Sequence, residues 1–445
     1  MQSKWQHLVR EKNFSSLFAN MSIAGLGLLS FMLLTRQLDQ AAFGQWVLFI
    51  ALASFVDLLR FGLTNTAAVR LLSNAGKKQV KVILGSSYRI NLVLWSLISV
   101  ICFAIFLLID FAETSGYGLF FTWYPVLALF NLSWNNACAL FQAEQNFMRM
   151  FWVKFSNTGL FTAFLALNYF YLHLGEAYIL AAYLTTNLIA SVYVIARQWD
   201  GLRFLKFQQP DKIKELVHFG KYSMGTLIGS SLLKSADTFI IGLSPVMGAT
   251  AIAMYAIPLK LTDLLGIPLR SLTMTAYPKL SRKVIQQELE SARKTFYAYS
   301  GAITLAFIPI ALVSFIFAEE LILFLGGSAY RVHLEELTLI FRVFTVYTIL
   351  LPIDRFTGVM LDSANQPRLN MRKVIVMTLA NIVMNLIAVF AFESLLLVAV
   401  GTVLFTLLGM GLGFYYLHRV MQIKPTHILP ESIHFFKNLN SFLVR

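Results

Sequence analysis

Long apolar runs are the feature that most constrains the fold of this chain. Runs of roughly 18–25 apolar residues have the length that an α-helix needs to cross a bilayer. We predict about twelve such helices, near residues 15–35, 42–67, 83–110, 118–142, 151–173, 177–196, 217–241, 248–276, 295–318, 333–360, 371–392 and 394–418. The chain is 58% hydrophobic and 13% charged, whereas soluble domains carry about 25% charged residues. The sequence therefore predicts an all-α, polytopic membrane protein.

The loops between these runs predict how the chain is oriented. Lys and Arg are concentrated in every second loop, as in residues 70–81, 197–214 and 279–294, and the opposite loops are mainly acidic. Because cationic loops stay in the cytoplasm, both termini are predicted to be cytoplasmic. The net charge of +14 follows from these loops. It does not indicate the basic face of a soluble domain that nucleic-acid binding requires, so no nucleic-acid partner is expected.

The longest polar connection, Gln198–Leu216, divides the chain into two halves of six predicted helices. We predict an N-terminal six-helix bundle at 1–200, a cytoplasmic linker at 201–216, a C-terminal six-helix bundle at 217–420 and a cytoplasmic tail at 421–445. Phe141–Asn146 in the first half resembles Leu361–Gln366 at the same place in the second. An even number of helices in each half gives parallel repeats. We therefore expect two parallel bundles around a central cavity.

Charged residues inside the predicted spans are the candidate site residues, because a charge at the bilayer centre costs at least about 2.5–3.5 kcal/mol. Six cations and four carboxylates are predicted there: Arg60, Lys234, Lys260, Arg270, Arg342, Arg355, Asp57, Asp237, Asp263 and Asp354. Three carboxylates have a cation three residues away on the same helix, so they can form structural pairs: Asp57/Arg60, Lys234/Asp237 and Lys260/Asp263. A cationic excess remains after pairing, which favours a wet, cationic cavity.

Such a cavity predicts an anionic substrate, because Arg binds phosphate or carboxylate through paired donors and Lys acts as a point charge. We predict that the substrate is bound by Arg60, Lys234, Lys260, Arg270 and Arg355. Arg60, Lys260 and Arg355 are the strongest candidates because they lie well inside their spans. The sequence leaves two interpretations of the carboxylates open: they either pair with these cations or bind a coupling H⁺ or Na⁺. The carboxylates are Asp57, Asp237, Asp263 and Asp354.

The sequence predicts neither an enzyme nor a metalloprotein. It has no Gly-Lys-Ser/Thr phosphate loop, no metal-ligand spacing among its seven histidines and no Ser/His/Asp set that stands out. The first of these motifs would be needed for an ATP-driven motor. No cofactor is therefore expected, apart from a coupling H⁺ or Na⁺.

Three motifs carry a resemblance to a known family. They are Phe43–Trp46 followed by Asp57–Leu63, Phe141–Glu144 with Asn146 and Phe147, and Lys234–Gly242. With these motifs and two halves of six helices, the chain resembles the polysaccharide-transporter branch (Wzx-type O-antigen flippases) of the multidrug/oligosaccharidyl-lipid/polysaccharide exporter superfamily. The likeness extends over nearly the whole chain.

The resemblance implies a flippase of the bacterial inner membrane that works by alternating access. Its substrate would be an undecaprenyl-diphosphate-linked oligosaccharide, such as an O-antigen or other surface polysaccharide repeat unit. Membrane lipids and the polysaccharide polymerase machinery would be its other partners. Two alternatives stay open: a cation-coupled multidrug antiporter of the same superfamily, which excess cations disfavour, and a non-transporting scaffold that uses buried ion pairs to join helices.

Overall fold

The computed structural model describes residues 12–73, 75–109, 116–428 and 430–432. These residues are largely α-helical, and no β-strand occurs among them. The contacts divide the chain into two compact units, Met1–Ser231 (unit 1) and Leu232–Arg445 (unit 2). The boundary lies inside a helix, Pro210–Leu243. The domain limits given by the sequence, with a linker at 201–216, stay a prediction.

Unit 1 contains the helices that precede this boundary helix. In the described residues they are α1 (Lys12–Gln37), α2 (Gln40–Gly62), α3 (Asn65–Leu72), α4 (Lys77–Leu108), α5 (Gly116–Phe130), α6 (Leu132–Ala143), α7 (Phe147–Leu167) and α8 (Glu176–Ala196). A π-helical turn, Asn168–Leu172, extends α7, and a 3₁₀ helix, Leu202–Phe207, follows α8. Helix α9 (Pro210–Leu243) begins in unit 1 and ends in unit 2.

Unit 2 continues from α9 with a similar series of helices. They are α10 (Gly248–Leu265), α11 (Ile267–Ile285), α12 (Leu289–Ile316), α13 (Ala318–Gly326), α14 (Leu334–Ser363), α15 (Pro367–Leu386) and α16 (Leu395–Met421). A 3₁₀ helix, Ser328–His333, precedes α14, and a π-helical turn, Ile387–Ala391, extends α15.

Eight helical segments in the described part of the chain are long and apolar enough to cross a membrane. They are Gln40–Gly62, Lys77–Leu108, Glu176–Ala196, Gly248–Leu269, Leu289–Ile316, Ser328–Ser363, Pro367–Ala391 and Leu395–Met421. The remaining predicted spans also lie on helices: on α1, on the pair α5 and α6, on α7 with its π turn, and on α9. The prediction of an all-α, polytopic membrane protein is therefore confirmed.

Apolar side chains fill the interior of each unit. In unit 1 a buried cluster includes Leu84 and Leu140, and in unit 2 a larger cluster includes Phe296 and Phe356. Other large apolar side chains stay exposed, for example Phe170 at 66%. Extensive exposed apolar surface of this kind marks a surface that meets lipid or another apolar partner.

Several predicted spans are interrupted at residues that weaken a helix. Helix α2 ends at Gly62, within the predicted span 42–67. Asn131 separates α5 from α6, and Pro125 lies within α5. Gly266 separates α10 from α11. A helix interrupted in this way has backbone groups without intrahelical partners, which side chains can then contact.

The two units share an unusual turn at matching places, between α6 and α7 and between α14 and α15. In unit 1, Gln145 has a φ of 53°, and the N–H of Asn146 donates to the carbonyl of Phe141 over 2.8 Å. In unit 2 a backbone hydrogen bond of 2.9 Å closes the equivalent turn around Asn365, whose φ is 57°. Both turns have the bond pattern of a Schellman motif. The two motifs that the sequence relates to each other thus have the same backbone geometry.

The π-helical turns repeat in the same way. Asn168–Leu172 precedes the last helix before the 3₁₀ segment of unit 1, and Ile387–Ala391 precedes the last long helix of unit 2. Each π turn is followed by a residue with positive φ, His173 at 51° and Glu393 at 48°. A π turn carries an extra residue relative to a regular α-helix. The two units therefore repeat in irregular details as well as in their helix order.

Candidate functional site

The first charged cluster lies in unit 1 and is built around Asp57 of α2. The Nη2 atom of Arg60 is 2.9 Å from Asp57 Oδ1, and the hydroxyl of Tyr124 donates to the same oxygen over 2.9 Å. The side-chain amide of Asn131 donates to Asp57 Oδ2 over 2.6 Å. The pairing of Asp57 with Arg60, which their spacing predicts, is therefore present. We call these four residues the unit 1 cluster.

Arg60 is the buried member of the unit 1 cluster. Its side chain is 0% exposed, whereas that of Asp57 is 22% exposed. Its Nη1 atom donates to the carbonyl of Ala128 over 2.5 Å, Nη2 also donates to Asn131 Oδ1, and the guanidinium lies 4.3 Å from the centre of the Phe61 ring. Protein groups thus surround the Arg60 guanidinium, and the carboxylate is the member of the pair that reaches the surface of the described structure.

The local sequence explains why Arg60 finds these partners. Ala128 lies in the last turn of α5, where backbone carbonyls lack intrahelical donors. Asn131 occupies the break between α5 and α6, so its side chain is available to both Asp57 and Arg60. A buried Arg needs several acceptors to replace water. The interrupted helix supplies them.

A different arrangement surrounds Asp237 on α9, in unit 2. The hydroxyl of Tyr255 donates to Asp237 Oδ2 over 2.7 Å, and the amides of Asn385 and Asn381 donate to Oδ1 over 2.7 and 3.1 Å. Asp237 is 5% exposed. Among the described residues no cation forms an ion pair with it. We call these four residues the Asp237 site.

Lys234, one turn before Asp237, is directed to another helix. Its Nζ atom lies 3.2 Å from Oδ1 and 3.3 Å from Oδ2 of Asp263 on α10. The two side chains are 56% and 36% exposed. Lys260 is half-buried on α10 and lies close enough to both to interact electrostatically. The structure therefore brings three predicted site residues together, and Lys234 pairs across helices instead of with Asp237 on its own helix.

The fourth predicted carboxylate, Asp354 of α14, forms a buried ion pair with Lys373 of α15. The Lys373 Nζ atom is 2.6 Å from Asp354 Oδ1. It also donates to the backbone carbonyl of Asp354 and to the hydroxyl of Thr357, each over 2.9 Å. Lys373 was not among the predicted charged residues, because it lies at the start of the predicted span 371–392, close to the cations Arg368 and Arg372. Its position inside that span was the available signal.

The remaining predicted cations lie apart from these pairs. Arg355, next to Asp354, is exposed, and no described carboxylate forms an ion pair with it. Tyr347, two turns earlier on α14, lies near enough to interact with its charge. Arg342 is half-buried and lies 5.1 Å from the Phe315 ring. The Arg270 side chain falls outside the described residues.

A further buried carboxylate, Asp200, lies outside the spans, just after α8. The residue is 1% exposed, its backbone carbonyl accepts the side-chain amide of Asn136, and its Oδ2 atom has no hydrogen-bond partner. Burial raises the pKa of this carboxyl above its usual range, against a hydrogen bond from Ser133 that lowers it. Gly201, at φ 102°, fits there because a Cβ would lie 2.8 Å from the Leu84 carbonyl oxygen.

The arrangement divides the predicted residues by their chemistry. In the described part of the chain, no group of three or more His, Cys, Asp or Glu residues could hold a metal ion. In the unit 1 cluster, Asp57 and Arg60 form an ion pair with each other. In the Asp237 site, the carboxylate accepts hydrogen bonds from neutral side chains. Of the predicted cations whose side chains the structure describes, Lys234 and Arg355 are exposed, and both lie in unit 2.

The sequence profile of a family described as "Polysaccharide biosynthesis protein" matches residues 9–284, which is more than half of the chain. The chain belongs to this family. No curated protein sequence matches it significantly. The polysaccharide biosynthesis family thus agrees with the branch that the sequence motifs resemble.

Solved structures show the fold that this family member adopts. An inward-facing multidrug resistance MATE family transporter of the MOP superfamily is 15% identical, with a TM-score of 0.74 over 91% of this chain and 99% of that one. The lipid II flippase MurJ in an inward closed conformation is also 15% identical, with a TM-score of 0.70 over 96% and 92%. A MOP superfamily transporter from Pyrococcus furiosus, described by a reversed polarity of its binding pocket, is 17% identical, with a TM-score of 0.60 over 94% and 97%. The chain therefore has the MOP transporter fold.

Proposed function

We propose that this protein is a flippase for an undecaprenyl-diphosphate-linked oligosaccharide, such as an O-antigen or another surface polysaccharide repeat unit. It carries this lipid by alternating access from the cytoplasmic to the periplasmic leaflet of the bacterial inner membrane. Its role is transport and not catalysis, both termini are cytoplasmic, and the polysaccharide polymerase machinery is its downstream partner. The membership of a polysaccharide biosynthesis family and the fold shared with the lipid II flippase support the proposal.

Exposed cations within the spans of unit 2 are the observation that carries the proposal. Lys234 is 56% exposed and Arg355 is also exposed, although both lie on helices of predicted spans. Hydrocarbon does not tolerate such charges, so they belong on a wet surface that a substrate reaches. Arg355 can hold a diphosphate through paired donors, and Lys234 and Lys260 add point charges. The enclosed Arg60 has a structural role in this proposal.

We propose further that transport is coupled to H⁺ or Na⁺ at the Asp237 site. A buried carboxylate without a cation partner favours neutralisation by a proton or a bound metal cation. The Oδ1 atom of Asn385 is buried and has no donor of its own, so it offers a second oxygen beside the carboxylate. Asp57, by contrast, already has Arg60 as its counter-charge.

Native mass spectrometry of protein gently extracted from its own membranes tests the substrate class. We expect a polyprenyl-diphosphate glycan on the wild type and none on a Lys260→Gln/Arg355→Gln variant. Lys294→Gln is the matched control, because Lys294 is a cation of the same unit that is 65% exposed and forms an ion pair with a surface carboxylate, Glu290. The control should retain the glycan lipid.

Other outcomes of this measurement would contradict the proposal in different ways. Wild-type protein that carries no such lipid but retains added cationic dyes would indicate a multidrug antiporter. Retention of the glycan lipid by the double variant would contradict the role of the two cations. A protein that carries neither lipid nor dye, and whose cation variants lower only its stability, would indicate a scaffold.

Transport in proteoliposomes tests the coupling site. In Asp237→Asn protein we expect glycan-lipid transfer that no longer responds to an imposed H⁺ or Na⁺ gradient. Asp211→Asn is the control, because this exposed carboxylate lies on the same helix. A gradient response that persists in Asp237→Asn would place coupling elsewhere, and the ion that drives wild-type transport distinguishes H⁺ from Na⁺.

A further inference from the structure

We infer that Lys373 is a positioning residue for the anionic substrate. By neutralising the carboxylate of Asp354, it leaves the neighbouring Arg355 available to bind the diphosphate. The inference rests on the proposed function and assigns a role to a buried cation outside the predicted set of binding residues.

Lys373 is held as a fixed charge in the interior of unit 2. It is 2% exposed, and its Nζ atom has three partners on α14: Asp354 Oδ1 at 2.6 Å, the Asp354 carbonyl at 2.9 Å and the Thr357 hydroxyl at 2.9 Å. An ammonium group has three protons to donate. Its ion pair and two hydrogen bonds are therefore all directed to one turn of α14.

The same contacts fix where the Asp354 carboxylate can go. Helix α16 approaches closely at Gly409, where a Cβ would lie 3.0 Å from Asp354 Oδ1. Pro352 lies within α14 one half-turn earlier and removes one backbone hydrogen bond from this stretch. A lysine that bonds both the carboxylate and the carbonyl of Asp354 thus stabilises an otherwise weakened turn and keeps the carboxylate on the buried side.

Arg355 benefits from this arrangement because consecutive residues of a helix point about 100° apart. Asp354 is 7% exposed and faces Lys373, whereas Arg355 is exposed. If Lys373 lost its charge, the carboxylate of Asp354 would be left uncompensated one residue from Arg355. Although the two side chains diverge, that negative charge would lower the positive potential that the substrate phosphates meet at Arg355. Lys373 therefore sets the net charge that the substrate meets.

Binding of undecaprenyl diphosphate to the purified full-length protein tests this inference. Loss of a charge-assisted contact corresponds to about a tenfold weaker affinity, and we expect this for Lys373→Met and for Arg355→Gln. Adding Asp354→Asn to Lys373→Met removes the uncompensated anion, so affinity should return to within about threefold of the wild type. Removing both partners of a buried ion pair also restores stability, so a purely structural role for Lys373 predicts that Lys373→Met loses affinity only where it has lost folded protein. The proposed role predicts weaker binding by Lys373→Met protein that is still folded at the assay temperature.

Two comparisons separate the possible failures. If wild-type protein binds the diphosphate lipid and Arg355→Gln does not, but Lys373→Met binds like wild type, the inference is wrong and the proposed function stands. The inference is also wrong if the Lys373→Met/Asp354→Asn protein remains as weak as the single variant while its unfolding temperature matches the wild type. If wild-type protein does not bind the lipid at all, the proposed function fails and this inference fails with it.

Discussion

Asp57 in unit 1 and Asp237 in unit 2 are both intramembrane carboxylates that lie three residues from a cation on the same helix, yet their surroundings differ. Asp57 pairs with Arg60 at 2.9 Å, and the pair shares Asn131. In the described part of the chain, the side chains that donate to Asp237 are neutral, and its nearby Lys234 pairs with Asp263 on another helix. The same sequence pattern therefore gives a closed ion pair in one unit and a carboxylate without a counter-charge in the other.

The difference follows from the helices packed against each carboxylate. In unit 1 the break between α5 and α6 offers backbone and side-chain acceptors that hold an arginine in the interior. In unit 2 the facing residues of α10 and α15 are a tyrosine and two asparagines, which donate to a carboxylate. Spacing along one helix makes a pair possible, and the neighbouring helices decide whether it forms.

The largest difference between the two carboxylates should be seen when each is neutralised in turn. Asp57→Asn leaves Arg60 buried without its counter-charge, which should lower the free energy of unfolding by about 3 kcal/mol. Asp237→Asn removes a buried charge that has no cation partner, so we expect a change within about 1 kcal/mol or a gain in stability. Thermal unfolding of the purified protein in detergent measures both.

The exposed pair of Lys294 and Glu290 supplies the control for this experiment. Its side chains are 65% and 80% exposed. Lys294→Gln should therefore change the free energy of unfolding by less than about 1 kcal/mol. Equal losses of stability in Asp57→Asn and Asp237→Asn would contradict the distinction between the two carboxylates.

A smaller effect should separate the two tyrosines that donate to these carboxylates. Tyr255→Phe removes one of three neutral donors to Asp237 and should cost about 2 kcal/mol, because hydrogen bonds to charged groups are worth about 1.5–3 kcal/mol. Tyr124→Phe should cost about 1 kcal/mol, since Asp57 keeps Arg60 and Asn131. Unfolding temperatures of the two variants give the order, and a larger loss for Tyr124→Phe would reverse our assignment.

Asp200 is a third buried carboxylate, and it lies outside the spans. Its protonation should make the free energy of unfolding depend on pH. Burial raises its pKa in the folded protein, so the folded state binds a proton more readily than the unfolded chain, whose Asp pKa is about 3.9. Its contribution to the free energy of unfolding therefore decreases as pH rises from about 4 through the raised pKa. Asp200→Asn should be more stable than wild type at pH 8, and the two should converge near pH 4. A constant difference across this range would contradict the prediction.

The smallest expected effect concerns the repeated turns. Gln145 and Asn365 both have positive φ, a conformation that costs most L-residues roughly 1–2 kcal/mol and Asn less. Gln145→Gly should therefore raise the free energy of unfolding by about 1 kcal/mol, and Asn365→Gly by a few tenths. Equal gains in the free energy of unfolding would indicate that positive φ costs Gln145 no more than it costs Asn365. The same unfolding assay measures both.

Most of the fold could be predicted because the bilayer imposes a length on apolar segments. All predicted spans contain helix in the described residues. The interruption at Asn131 was not predicted, because an isolated Asn in an apolar run gives no signal that separates a helix break from a polar contact. The matching turns around Gln145 and Asn365 were found from sequence, since their flanking residues resemble each other.

The site was predictable only where one helix carries both partners. Asp57 and Arg60 are three residues apart on α2, so their pairing follows from helix geometry. The partners of Lys234 and Asp354 lie on other helices, and their choice depends on packing that a single sequence does not encode in its periodicity. Lys373 was missed because a lysine one turn inside a helix resembles the loop cations that precede it.

The two π-helical turns, Asn168–Leu172 and Ile387–Ala391, also bear on the evolutionary origin of the two units. A π turn of this kind marks the insertion of one residue into a regular helix, and most single insertions weaken a helix. Two independent insertions at matching places require more events than a single insertion that both units inherited. A single duplication of an ancestral half that already carried the insertion would account for both π turns.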